Sequence, residues 1–214
     1  MNIIIRCPLC FSGKADAVKG PDARDYYLCI SCGLISAGRE HRLSAEEEKA
    51  RYESHNNSPE CPGYVDFLNR AVKPALGFIS KGMRGLDYGC GPEPVLSRMV
   101  EREGVGCAYY DPYFFPDIDE SAVYDFIFST ECFEHFFSPS VEIDRIYGML
   151  KRGGILTVMS RLWKDAGGFE EWYYPRDPSH MAFYSLKTVG YISDKWGMRQ
   201  VFSDGESVFI LRKS

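Results

Sequence analysis

Apolar positions along this chain change period several times. From residue 83 onward they predict alternating strands and helices. MRGLDYG reads as a short strand ending in glycine. Val95, Leu96, Met99 and Val100 then fall on one face of a helix, which Gly104 is placed to stop. GCAYYD and YDFIFST read as the next two strands, the second rich in the aromatic and β-branched residues that suit burial. Ser138 and Pro139 supply an N-cap and a first-turn proline for a helix whose buried stripe is Ile143, Ile146, Tyr147 and Leu150. Gly153-Gly154 are expected to close it. GILTVMS is another strand. Val189, Ile192 and Trp196 mark a last helix, stopped at Gly197. Two closing strands, near 198–203 and 207–212, flank an Asp204-Gly205 turn. This alternation predicts an α/β fold with a mostly parallel sheet and a C-terminal antiparallel hairpin. Only residues 112–123 separate the second and third strands, too few for a helical crossover, so one unit of the sheet should be shortened.

Upstream the pattern differs. Ser44 with Glu47 has capping-box spacing before an acidic first turn. After Pro62, Tyr64, Phe67, Leu68 and Ala71 recur at helical spacing, and Pro74 should end or bend that helix. Residues 41–82 therefore read as a helical connector between a small module, residues 1–40, and the α/β domain, residues 83–214.

Composition narrows the class. The 214 residues are 45% hydrophobic and 26% charged, which supports a full core and excludes a mainly disordered chain. No apolar run is long enough to span a bilayer, so no membrane association is expected. The opening MNIII meets Arg6 and Cys7 too soon for a secretory apolar region, so a cytoplasmic location is expected. The net charge of −5 argues against a sequence-blind nucleic-acid binder. Only the first 45 residues lean basic, with six Lys/Arg against four Asp/Glu.

Four of the eight cysteines are patterned. Cys7, Cys10, Cys29 and Cys32 read C-x2-C-x18-C-x2-C, the spacing of a zinc site. Two thiolates on one tight turn grip one face of an ion, and a second such turn completes a tetrahedron. Zn²⁺ is the expected metal, ahead of iron and of two disulfides. Four thiolates leave no open position, so the expected role is structural. Cys61, Cys90, Cys107 and Cys132 read as small core residues.

A second constellation sits where the first strand of the sheet meets a helix. GLDYGCGPEP brings Asp87, Gly89 and Gly91 to that turn, and Asp111 follows at the end of the next strand. Glycines let a ligand approach the backbone, and an acid at that spacing bonds ribose hydroxyls. A nicotinamide dinucleotide would meet Glu93 and Pro94 where its phosphates need a third glycine. An adenosine on a cationic sulfur has no phosphate and fits better. The other reading is a turn used for tight packing alone.

Together these residues resemble the class I S-adenosylmethionine (SAM)-dependent methyltransferases, and the fold implied is Rossmann-like. GLDYGCGP with Asp111 is similar to the first two motifs of that family. YDFIFSTECFEHF is similar to its fourth-strand motif, and LKRGGILTVMS to the segment after it. CPLC, CISCG, RYESHNNSPECPGY and WYYPRDPSHMAFYS further resemble a bacterial subgroup carrying an N-terminal zinc ribbon. The resemblance implies that Asp87, Gly89 and Gly91 surround the methionine end of SAM and that Asp111 holds the ribose. It places Thr130 and Glu131 near the transferred methyl. Tyr64, Tyr52 and Phe133 are candidates for an aromatic wall around the sulfonium. His135, His180 and His55 are the catalytic candidates, as acceptor-binding or acid/base groups. Arg161 and Arg176 could hold an anionic acceptor, and Trp172, Tyr173 and Tyr174 could stack a planar one. The implied activity is methyl transfer to a small-molecule acceptor. Alternatives are an RNA methyltransferase using the ribbon for RNA contact, a non-catalytic zinc- and SAM-binding module, and a nicotinamide-dependent oxidoreductase. The accepting atom and the oligomeric state stay open.

Overall fold

The computed structural model describes residues 5–54 and 57–214. Three short strands form the N-terminal ribbon: β1 (Ala15–Val18), β2 (Tyr26–Cys29) and β3 (Ile35–Ala37). Two helices follow, α1 (Ala45–Glu53) and α2 (Pro62–Leu76). Both halves of the Ser44/Glu47 capping box form, so α1 starts where its sequence signal lies. Pro62 opens α2, and Pro74 sits inside its last turn.

The main domain then runs β4 (Arg84–Tyr88), α3 (Val95–Arg102), β5 (Gly106–Tyr110), β6 (Tyr124–Thr130), α4 (Pro139–Met149), β7 (Leu150–Met159), β8 (Ala182–Phe183), α5 (Leu186–Lys195), β9 (Met198–Ser203) and β10 (Val208–Lys213). The large sheet has the order β5-β4-β6-β7-β10-β9. The first four of these strands are parallel, and β10 is antiparallel to both neighbours. This is the mixed sheet expected from the sequence. No helix lies between β5 and β6, as the short connection required.

Alternation along β6 sorts the core. Phe126 and Phe128 face the layer containing Leu68 and Val72 of α2 and Leu96 and Val100 of α3. Ile127 faces Ile143 and Ile146 of α4 and Val189 and Ile192 of α5. Burial on both faces explains why β6 reads as a continuous apolar run.

Two local expectations fail. The helix after Pro139 ends at Met149, and Gly153-Gly154 lie inside β7. They serve a register shift: Tyr124 pairs with Leu150, yet Phe126 pairs with Ile155. At Gly154 a Cβ would stand 2.8 Å from the Asp125 carbonyl oxygen, so only glycine fits this close crossing. Ser138 makes no side-chain cap to α4, although Pro139 takes the first helical position. Instead Ser185 caps α5, with Thr188 completing the reciprocal pair.

The ribbon is not separate from the rest. Strand β8 adds to β3, giving a second sheet β1-β2-β3-β8 that joins the ribbon to the segment between β7 and α5. A third apolar cluster lies beneath it, built on Tyr26, Ile35, Phe169, Tyr174 and Phe183. Among the described residues no helix is long and apolar enough to cross a membrane.

Candidate active site

The carboxyl ends of β4, β5 and β6 open into a cavity of about 650 Å³, within the range of small-ligand sites. The turn after β4 forms its floor. Gly89 and Gly91 have φ of +83° and +71°, a region that favours glycine. A Cβ on Gly89 would stand 2.3 Å from the Cys132 sulfur, whereas Gly91 has open space where its Cβ would be. The backbone at Gly91 is thus bare toward the cavity.

Asp111 continues the floor. One carboxylate oxygen accepts the Gly91 N–H at 3.0 Å and the other accepts the Tyr113 N–H at 2.9 Å. Burial pushes its pKa up, and those backbone donors oppose the shift. The Tyr113-bonded oxygen also accepts the Phe114 N–H at 3.3 Å, so the Gly91-bonded oxygen is the one that keeps a lone pair for a ligand hydroxyl.

Asp87 is placed differently. It is 1% exposed, does not line the cavity, and leaves Oδ1 without a hydrogen-bond partner. Burial raises its pKa to about 7. It supports the turn from behind.

The walls gather most of the other predicted residues. Tyr52 from α1, Tyr64 from α2, Thr130 at the end of β6 and Glu131 just after it all line the cavity. Glu131 has φ +47°, a strained value for a residue with a side chain. Burial and the neighbouring Glu134 push its carboxyl well above the ordinary range. His135 and His180 also line the cavity, their rings 4.7 Å apart. His180 is held down to about 3 by burial and by His135, so its imidazole is neutral. His55 lies outside the described residues.

Several candidates turn elsewhere. Phe133 is fully buried against Phe136, Tyr184 and Phe209 and is core. Trp172 and Tyr174 pack on Phe183 under the ribbon, and Tyr173 faces solvent. Arg161 lies over the Tyr173 ring, and Arg176 is exposed. Glu93 turns outward and pairs with Arg98 at 3.8 Å, away from any ligand on the turn.

The sequence reading passed over Glu134. It is fully buried, lines the cavity, and accepts the Tyr174 hydroxyl at 2.6 Å through Oε1. Its signal was present: a lone carboxylate between Phe133 and Phe136, in a run otherwise fit for a core. Glu48 was also missed. It is buried and bonded by the Tyr113 hydroxyl. Among the described residues the lining holds five acidic side chains, Glu48, Asp111, Glu131, Glu134 and Glu142, against one guanidinium, that of Arg42. The field inside therefore favours a cationic ligand.

The four ribbon cysteines form the second site. All are free thiols. Cys7 and Cys32 sulfurs lie 3.5 Å apart and those of Cys10 and Cys29 3.4 Å apart. All four sulfurs fall within 4.8 Å of one another. A tetrahedral thiolate site with metal–sulfur bonds near 2.3 Å has edges of about 3.8 Å. The donor set fits such an ion, and the separations exceed a disulfide bond.

Residues 60–198, about two thirds of the chain, match a family model described as a methyltransferase domain. The chain belongs to that methyltransferase family. With its α/β sheet and glycine turn it is a class I SAM-dependent methyltransferase. Among solved structures, magnesium protoporphyrin IX methyltransferase of Synechocystis PCC 6803, with bound SAH, is similar at 12% identity and TM-score 0.53, over 82% of this chain and 98% of that one. A chain from the complex of the Haloferax volcanii Trm112 methyltransferase activator with a methyltransferase is similar at 14% identity and TM-score 0.52, over 78% and 97%. The CurJ carbon methyltransferase matches at 13% identity and TM-score 0.44, over 69% of this chain and 53% of its own. At these identities the likeness is one of fold. No curated protein matches the chain significantly.

Proposed function

We propose that this methyltransferase acts on a small-molecule acceptor bound between the cofactor turn and the His135–His180 pair. The observation that carries the reading is the acidic cavity, in which five acidic side chains face one arginine among the described residues. A sulfonium is stabilised there, and a polyanion such as RNA is repelled.

In this reading the bare backbone at Gly91 lets the cofactor approach the turn, and Asp111 accepts its ribose hydroxyls. Tyr64 and Glu131 flank the cationic sulfur. The bound cofactor supplies an electrophilic methyl; the carbon–sulfur pair returns to sulfur as an acceptor lone pair forms the new bond. The chain's own task is to hold the two reactants in line and to exclude water. Tyr52 closes the cavity from α1, its ring 5.1 Å from that of His135. Glu134, His135 and His180 present lone pairs to the acceptor end.

We assign a structural Zn²⁺ to the ribbon, held by Cys7, Cys10, Cys29 and Cys32. The four thiols are too crowded to ionise together without a cation, and a module this small needs the metal to hold its turns.

Calorimetric titration with S-adenosylhomocysteine tests the cofactor assignment. Wild type should bind one equivalent, and Asp111→Asn should bind at least tenfold more weakly. No binding to folded wild-type protein would remove the reading.

A further inference from the structure

We propose that Glu134, His135 and His180 bind a divalent transition-metal ion, such as Zn²⁺, at the acceptor end of the cavity. The site is distinct from the ribbon cysteines and has open coordination positions. Its chemical purpose rests on the methyl-transfer reading above; its existence does not.

The three residues come from two segments of chain. Glu134 and His135 lie on a short 3-10 turn after β6, and His180 on the loop before β8. The Met181 N–H donates to the Glu134 carbonyl at 2.7 Å and fastens these segments together. One donor atom from each residue lies within 4.8 Å of the other two. Bound ligands at 2.0–2.2 Å from an ion sit roughly 3.4 Å apart, so small side-chain rotations complete the site.

The protonation pattern is set in advance. His135 Nδ1 lies 3.2 Å from the Ser179 carbonyl oxygen, and His180 Nδ1 lies 2.8 Å from that of Tyr174. A carbonyl can only accept, so each Nδ1 carries the hydrogen, which leaves Nε2 as the nitrogen that can offer a lone pair to an ion. This is the arrangement that orients metal-binding histidines.

Glu134 supplies an independent sign. Its side chain is 0% exposed, yet Oε2 has no hydrogen-bond partner. A buried carboxylate oxygen without a partner is costly, and a cation beside it removes that cost. The Tyr174 hydroxyl on Oε1 fixes the carboxylate plane and leaves Oε2 free to coordinate.

Two imidazoles and one carboxylate suit a borderline transition ion better than Mg²⁺ or Ca²⁺, which prefer oxygen. All three residues line the cavity, so the remaining coordination positions face the acceptor. An acceptor hydroxyl bound there would release its proton to water more readily. Its oxygen pair would then form the bond to the methyl carbon, and the carbon–sulfur pair would pass to sulfur.

The test uses the full chain with one Zn²⁺ already in the ribbon. Co²⁺ is titrated in and followed by visible absorption, with metal content measured after desalting. Wild type should bind one Co²⁺ beyond the ribbon metal, with ligand-field bands and no thiolate charge-transfer band. Glu134→Gln and His135→Ala should each weaken that site at least tenfold. If one variant fails to fold, the other still gives the readout. No second ion in wild type, or wild-type Co²⁺ affinity in both variants, overturns the proposal. S-adenosylhomocysteine titration of the same samples reads the cofactor assignment separately. Cofactor binding without a second ion sinks the ion alone; a second ion without cofactor binding leaves the ion and sinks methyl transfer.

Discussion

Arg24 of the ribbon should control the order of the acceptor loop. An arginine has five N–H donors, and here every one is used. Nε donates to Asp22 at 3.0 Å. One terminal nitrogen donates to the carbonyls of Pro178 and His180 at 3.1 and 3.0 Å. The other donates to Asp177 at 3.2 Å and also to Pro175. The guanidinium thus gathers the backbone of residues 175–180, which carries His180. In Arg24→Ala the carbonyls of Asp177 and Pro178 can turn to water. Those of Pro175 and His180 belong to buried residues, and each loses a charge-assisted bond worth about 1–3 kcal/mol. The expected loss is about 2–6 kcal/mol. Even the lower figure is roughly a thirtyfold change in an opening equilibrium. Hydrogen exchange should therefore accelerate by that factor or more at the amides of His180 and Met181. S-adenosylhomocysteine affinity should change less than threefold, because the glycine turn is untouched. Arg24→Lys keeps the charge but lacks the fork, and should recover less than half of the protection. Unchanged exchange at those amides in Arg24→Ala would refute the argument.

Two further outcomes follow from the floor of the cavity. Gly91→Ala should fold with a cost of about 1–2 kcal/mol for its left-handed backbone and lose at least tenfold in S-adenosylhomocysteine affinity. Gly89→Ala should destabilise more, since its Cβ meets the Cys132 sulfur at 2.3 Å, and Cys132→Ala should restore part of the loss in denaturant unfolding. Asp87 has a folded pKa of about 7, raised by burial, above the ordinary aspartate value. Its ionised form is therefore disfavoured in the fold, and stability present below pH 4 is lost as pH rises toward 7, then levels off. At about 1.4 kcal/mol per unit, the stability gap between wild type and Asp87→Asn should shift by about 3–4 kcal/mol between pH 4 and 8, against the wild type at high pH. A gap independent of pH would show that Asp87 ionises freely.

Much of this architecture was legible in the sequence because it is written in local periods. The strand-end glycines, the Ser44/Glu47 cap and the run of β6 each declare themselves within a few residues. What escaped depends on distant contacts. Gly153-Gly154 look like a helix stop, yet they are glycines because Gly154 crosses the Asp125 carbonyl at 2.8 Å, a neighbour far back in the chain. Phe133 and Glu134 are adjacent, and no local pattern says which faces the cavity. The 3-10 turn after β6 decides it, sending Phe133 into the core and Glu134 toward Tyr174. Asp87 and Asp111 flank the same turn, but only the second lies on the ligand side. The two-residue strand β8 is too short to show any period, and its partner is the ribbon.

That pairing bears on how the chain is made. Ile35 and Ser36 find their partners in Phe183 and Ala182, so during translation the first-made sheet waits with one edge bare until residues 182 and 183 have left the ribosome. At ordinary elongation rates the delay is on the order of ten seconds. The nascent ribbon can close its thiolate turns early, but the Arg24 contacts to residues 175–180 and the junction under β8 form only after that wait. The step that brings His180 beside His135 thus comes long after the ribbon itself is made.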